Sequence, residues 1–165
     1  MKTLLMILNL ALYSHVSYGD GAEKRVKLKR EKTTKILDVF KVNDDLFMSF
    51  FNYNEEDILR DKEKLSQSLG KVPQGIIDTE IKQIKVSLIE IKKGNKKLKN
   101  YAAYHVISEV LAKVVEKYDL GGTYNVYYCP MIKKKWVQNS LNLKKVYNPF
   151  APEMPHCGGQ LTEFK

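Results

Sequence analysis

The chain has 165 residues, 44% of them hydrophobic and 28% charged, a balance that fits one globular domain and excludes a disordered chain or a multi-span membrane protein. Lys and Arg outnumber Asp and Glu by 28 to 19, for a net charge of +9, and only two cysteines and three histidines are available for thiol or metal chemistry.

Residues 1–19 read as a signal peptide. Lys2 supplies a positive start, Leu4 to Tyr13 are apolar but for Asn9, and Ser17 and Gly19 place small residues at the minus-three and minus-one positions of a cleavage site. An apolar stretch of about ten residues is too short for a bilayer, which needs about twenty. The expectation is therefore a periplasmic or secreted protein, cleaved near Gly19 and without stable membrane insertion. In that setting a basic chain meets anionic envelope polymers or lipid headgroups, and nucleic acid is not an expected partner. Lys82, Lys85, Lys92, Lys93, Lys96, Lys97 and Lys99 recur without the interleaved aromatics of a base-stacking surface, so they read as a solvated helix face.

Residues 20–32 read as a flexible basic linker, 33–120 as a helical bundle and 121–165 as a C-terminal segment packed on it. In the first helix Ile36, Val39, Phe40, Asn43, Phe47, Phe50 and Phe51 recur at helical spacing. Asn54, followed by Glu55, Glu56 and Asp57, predicts the N-cap of a second helix, because a side-chain oxygen satisfies an orphan amide and carboxylates face the positive end of the dipole. That helix buries Ile58, Leu59, Leu65 and Leu69 and stops at Gly70; Val72-Pro73-Gln74-Gly75 is a turn. A third helix over 76–93 carries Ile77, Ile81, Ile84, Leu88 and Ile91. A fourth, over 96–118, runs through Leu98, Tyr101, Ala102, His105, Val106, Val110, Val114 and Tyr118. Four helices with short turns predict a mainly α, up-down bundle. Beyond Gly121-Gly122, where four of the five prolines fall, Val126-Tyr127-Tyr128 and Lys135-Trp136-Val137 predict two short strands in a small irregular or β C-terminal metal-binding knuckle.

The chemistry concentrates in that segment. Met131 lies two residues after Cys129, Met154 three before Cys157, and His156 directly precedes Cys157. Thiolate and thioether are soft donors that favour Cu(I), with silver as its mimic, so Cys129, Met131, Met154, His156 and Cys157 are candidate copper ligands. The same two cysteines also fit a plain disulfide, which would leave no metal cargo and, closing a separation of 28 residues, would stabilise by roughly 3 to 4 kcal/mol. Both readings stand at this point.

Tyr128-Cys129-Pro130-Met131, followed downstream by Met154-Pro155-His156-Cys157-Gly158-Gly159-Gln160-Leu161, resembles the short heavy-metal-binding segment of copper/silver efflux adaptors and copper-transporting ATPases. It departs from that pattern in having Met154 in place of a cysteine and Gly159 in place of a methionine. With Trp136, Asn148-Pro149-Phe150 and the segment from Tyr104 to Leu111, the chain more broadly resembles a bacterial periplasmic family of unknown function, found alone or fused to CusB-type copper/silver efflux adaptors. The resemblance implies copper buffering, transfer or efflux, with such an adaptor or another copper-handling protein as partner.

Other residues read as structural. Trp136 and Phe150 are expected to pack the tail on the bundle, and His105 to sit in the core or at its boundary. Asp44-Asp45 and Glu55-Glu56 point about 100° apart on a helix and do not converge for acid–base work, so they read as solvated or capping. His156 and Cys157 lack an orienting third group, and no nucleotide-binding loop is present; an enzyme is not expected.

Overall fold

Four helices and a three-stranded sheet make up the fold in a computed structural model that describes residues 25–164. The expected signal peptide, 1–19, and the start of the expected linker lie outside the described residues. The later part of that linker belongs to the fold. Val26 exchanges backbone hydrogen bonds with Lys117 and Asp119 (2.8 and 2.9 Å), Arg25 pairs with Asp119 at 3.2 Å, and helix α1 already begins at Arg30.

Helix α1 (Arg30–Asn52) buries Ile36, Val39, Phe40, Asn43, Leu46, Phe47, Ser49 and Phe50, the stripe expected from the spacing except that Leu46 and Ser49 join it and Phe51 is only half-buried. Tyr53, in the left-handed region at φ 46°, ends it, and the Asn54 side chain accepts the Asp57 amide at 3.1 Å as the N-cap of α2 (Glu55–Leu69). A two-residue link between packed helices forces the chain to reverse, so α1 and α2 form an antiparallel pair. α3 (Asp78–Glu90) and α4 (Lys97–Lys117) form the second pair, so the protein is mainly α.

The fourth helix departs from the expected one-faced pattern. Tyr101, Ala103, Tyr104, Ile107, Ser108, Val110, Leu111, Ala112, Val114 and Val115 are all buried, whereas Leu98, Ala102 and Val106 are exposed. A helix buried on most sides lies between layers. α3 packs on one side of α4, the sheet on another, and the Phe50 ring of α1 stacks on Tyr104 with centroids 4.2 Å apart. Because nearly every turn of α4 is apolar, its spacing does not single out the one exposed strip.

Strands β1 (Tyr124–Cys129) and β2 (Lys134–Asn139) form an antiparallel hairpin, and β3 (Gly159–Gln160) pairs with the other edge of β1, giving the order β2-β1-β3. Asp44, read from sequence as solvated or capping, joins this hairpin to α1. It accepts hydrogen bonds from Tyr124 Oη (2.9 Å) and Asn139 Nδ2 (3.1 Å), and burial pushes its carboxyl above the usual range despite both donors. Among the described residues no helix is long and apolar enough to cross a membrane.

A second carboxylate, Asp61, locks α1 to α2. Its side chain is 1% exposed and accepts from Ser49 Oγ at 2.7 Å, Arg60 Nε at 2.9 Å and Lys64 Nζ at 2.9 Å. Burial pushes its carboxyl up, but these donors outweigh burial and hold it below the usual 3.8. A lowered folded value contributes stability that is present above the ordinary value and lost as pH falls through the folded one. Asp61→Asn is expected to lose about 1–3 kcal/mol at neutral pH and to flatten the acid limb of the stability curve, both read by denaturant melts across the acid range.

Candidate functional site

β1 is the centre of the sheet, and both of its neighbours deliver tail residues to its C-terminal end. On the β2 side the Pro130–Lys133 turn closes the hairpin with Lys133 at φ 54° and opens β2 with Lys134 opposite Cys129. On the β3 side Gly159 lies opposite Tyr128 and Gln160 opposite Tyr127, which carries Cys157, just before Gly158 at the entry to β3, to the end of β1. Cys129 and Cys157 meet there with Cα atoms 5.8 Å apart and their sulfurs paired as a disulfide. Cys129 is fully buried in the main core, and Cys157 is half-buried against it.

The other candidate ligands differ in placement. Met154 and His156 share the turn that leads into Cys157, whose amide donates to the Met154 carbonyl at 2.9 Å. His156 Nδ1 lies 2.6 Å from the Val146 carbonyl oxygen. A carbonyl only accepts, so Nδ1 carries the proton and, in the neutral ring, Nε2 holds the lone pair a metal needs. The ring stands edge-on to Tyr147 at 5.6 Å, which fixes its orientation. Met131 sits in the Pro130–Lys133 turn and is 70% exposed. Among the described residues no three His, Cys, Asp or Glu side chains converge in a ready-made cation cage, so the thioethers or a rearrangement must complete any metal shell.

Asn148, Thr162 and Gly158 hold the tail in place through contacts that the residue order alone does not indicate. Asn148, fully buried, accepts the Phe150 amide on its side-chain oxygen at 3.0 Å, donates its side-chain amide to the Cys157 carbonyl at 3.0 Å, and donates its backbone N–H to the Pro155 carbonyl at 2.8 Å. Thr162 Oγ1 accepts the Val126 amide at 2.9 Å and donates to Asn125 at 3.0 Å, continuing the attachment past β3. Gly158 has φ 132°, and a Cβ there would lie 2.8 Å from Trp136 Cη2 and 2.9 Å from the Tyr128 carbonyl oxygen. Asn before Pro and the Cys-Gly-Gly run were the available signals, since each marks a backbone with special needs.

Trp136 and Phe150 are both buried. Trp136 is fully buried in β2 and stacks near Tyr127 at 6.1 Å, and Phe150 inserts its ring among Tyr101, Tyr104 and His105 of α4 at 5.3–6.4 Å. His105 sits at the boundary: burial, then Lys134, lowers its pKa, while Glu109 at 3.6 Å lies beyond hydrogen-bond reach. No known protein family, no curated protein and no solved structure matches the chain.

The seat beneath Gly158 is directly checkable. Gly158→Ala is expected to destabilise by about 1–3 kcal/mol through strained backbone and overpacking, read by urea melts. In a Trp136→Leu background part of that penalty should vanish, and an unchanged penalty would place the strain in the backbone alone.

Proposed function

We propose that this is an exported soft-metal-binding protein that takes Cu(I), with Ag(I) as its mimic, at a centre built on the Cys129 and Cys157 thiolates. The observation that supports it is the meeting of two cysteines, each from a separate Pro- and Met-containing motif, at one end of β1. A dithiol reductant delivers two electrons and two protons to open the pair, and the incoming ion then displaces the thiol protons. Met154, in the same turn as Cys157, offers a half-buried thioether, and Met131, two residues after Cys129, an exposed one. His156 offers Nε2 from a ring already anchored through Nδ1. Two soft thiolates with neutral third donors suit a monovalent ion and allow a partner to take it by ligand exchange, as buffering or transfer to an efflux adaptor or another copper-handling protein requires.

A second reading rests on the paired sulfurs and the full burial of Cys129: the bridge is a permanent staple in an envelope interaction domain without metal cargo. Reduction would then destabilise by roughly 3 to 4 kcal/mol and nothing would refill the centre.

An anaerobic Cu(I) competition titration against a chromophoric chelator separates the two. The proposal expects one-to-one binding to reduced protein, lost in Cys157→Ser and weakened in Met154→Leu. Equal competition by the reduced protein and the cysteine variant would overturn it in favour of the staple.

A further inference from the structure

The connection between α3 and α4 and the first turn of α4 carry Lys92, Lys93, Lys96, Lys97 and Lys99 within eight residues, all exposed, together with Leu98, which is 81% exposed. We propose that this tip is a docking surface for an anionic phospholipid bilayer, with the lysines over the headgroups and Leu98 entering the acyl boundary.

The tip is rigid. Asn100, fully buried on α4, accepts the Lys92 amide and donates to the Lys92 carbonyl, each at 3.2 Å. Asn95 Nδ2 donates to the Glu90 carbonyl and to Asn100 Oδ1, each at 2.9 Å. Glu55 of α2 accepts the Gly94 amide at 3.0 Å, and Lys97 rests over the Tyr53 ring at 4.5 Å. The loop is thus held from α2, α3 and α4 in one shape. Two carboxylates reach it: Glu55 is engaged by the Gly94 amide, and Glu90 stands 3.7 Å from Lys99, which leaves a strong positive excess.

That charge complements a bilayer of anionic lipid, for which clusters of four to eight basic side chains are the recognised footprint. Leu98 supplies what a purely electrostatic anion site would lack, because a leucine presented to water from the first turn of a rigid helix gains by entering an apolar medium. Nucleic acid fits less well. The residue displayed is aliphatic, without a stacking face, and the cations are all lysines rather than the planar forks that read phosphate and bases bidentately.

A tryptophan at the tip reports insertion directly, since Trp136, the native indole, is fully buried and serves as a constant background. Full-length protein carrying Leu98→Trp is titrated with vesicles of phosphatidylglycerol and phosphatidylcholine, and with phosphatidylcholine alone. The expected result is a blue shift of the new emission on the anionic vesicles only. The anionic-vesicle partition should fall more than about tenfold when the five lysines become glutamine in the same chain. Every form shares its N-terminal residues, so any lipid contact they make is common to all. No shift on anionic vesicles, an equal shift on both kinds, a shift that survives the five substitutions, or a response to inorganic phosphate or an oligonucleotide without one to vesicles would overturn the proposal.

Discussion

The C-terminal segment keeps its place because it is attached to β1, and the candidate centre depends on that attachment. From Leu141 to Gly158 the chain is turns and irregular backbone, with too little apolar surface to order itself. It is fixed where Cys157 meets Cys129, where Gly158 slides between Trp136 and the Tyr128 carbonyl, where β3 pairs with β1, and where Phe150 enters the aromatic face of α4. These contacts lie on consecutive stretches of one short tail, so a fault in one propagates to its neighbours. The cysteine pair is therefore both a candidate ligand set and the keystone of its own surroundings. Opening it frees two sulfurs and removes one anchor, leaving the contacts of Asn148, Phe150 and Thr162 as the remaining attachments.

The bundle supplies a rigid wall for that arrangement. α4 is sandwiched among α1, α3 and the sheet, and Asp44 ties Tyr124 and Asn139 of the hairpin to α1. Five lysines gather between Lys92 and Lys99, and a second basic run, Lys133 to Lys135, follows Cys129, with Lys134 opposite it in the hairpin.

Much of the fold is legible in the residue order. Asn54 with its acidic followers marks the α2 N-cap, and the aromatic stripe from Ile36 to Phe50 marks the buried face of α1. The rest depends on contacts between distant residues. Leu98, Ala102 and Val106 look as apolar as Ile107 and Leu111, and only the packing of α3 and the sheet around α4 decides which of them meets water. Asp44 was misread for the same reason, since its donors lie 80 and 95 residues away. At the site, Cys129 and Cys157 are the chain's two cysteines and so are each other's natural partners, whereas the roles of Asn148 and Gly158 follow from a β1–β3 pairing of two residues that no local pattern announces.

The most direct test of the account is X-ray absorption at the copper edge of the reduced protein loaded with one equivalent of Cu(I) under anaerobic conditions. A first shell dominated by sulfur, absent when both cysteines are alkylated before loading, is the predicted result. A shell of nitrogen and oxygen donors, or a spectrum indifferent to alkylation, would contradict a centre built on Cys129 and Cys157.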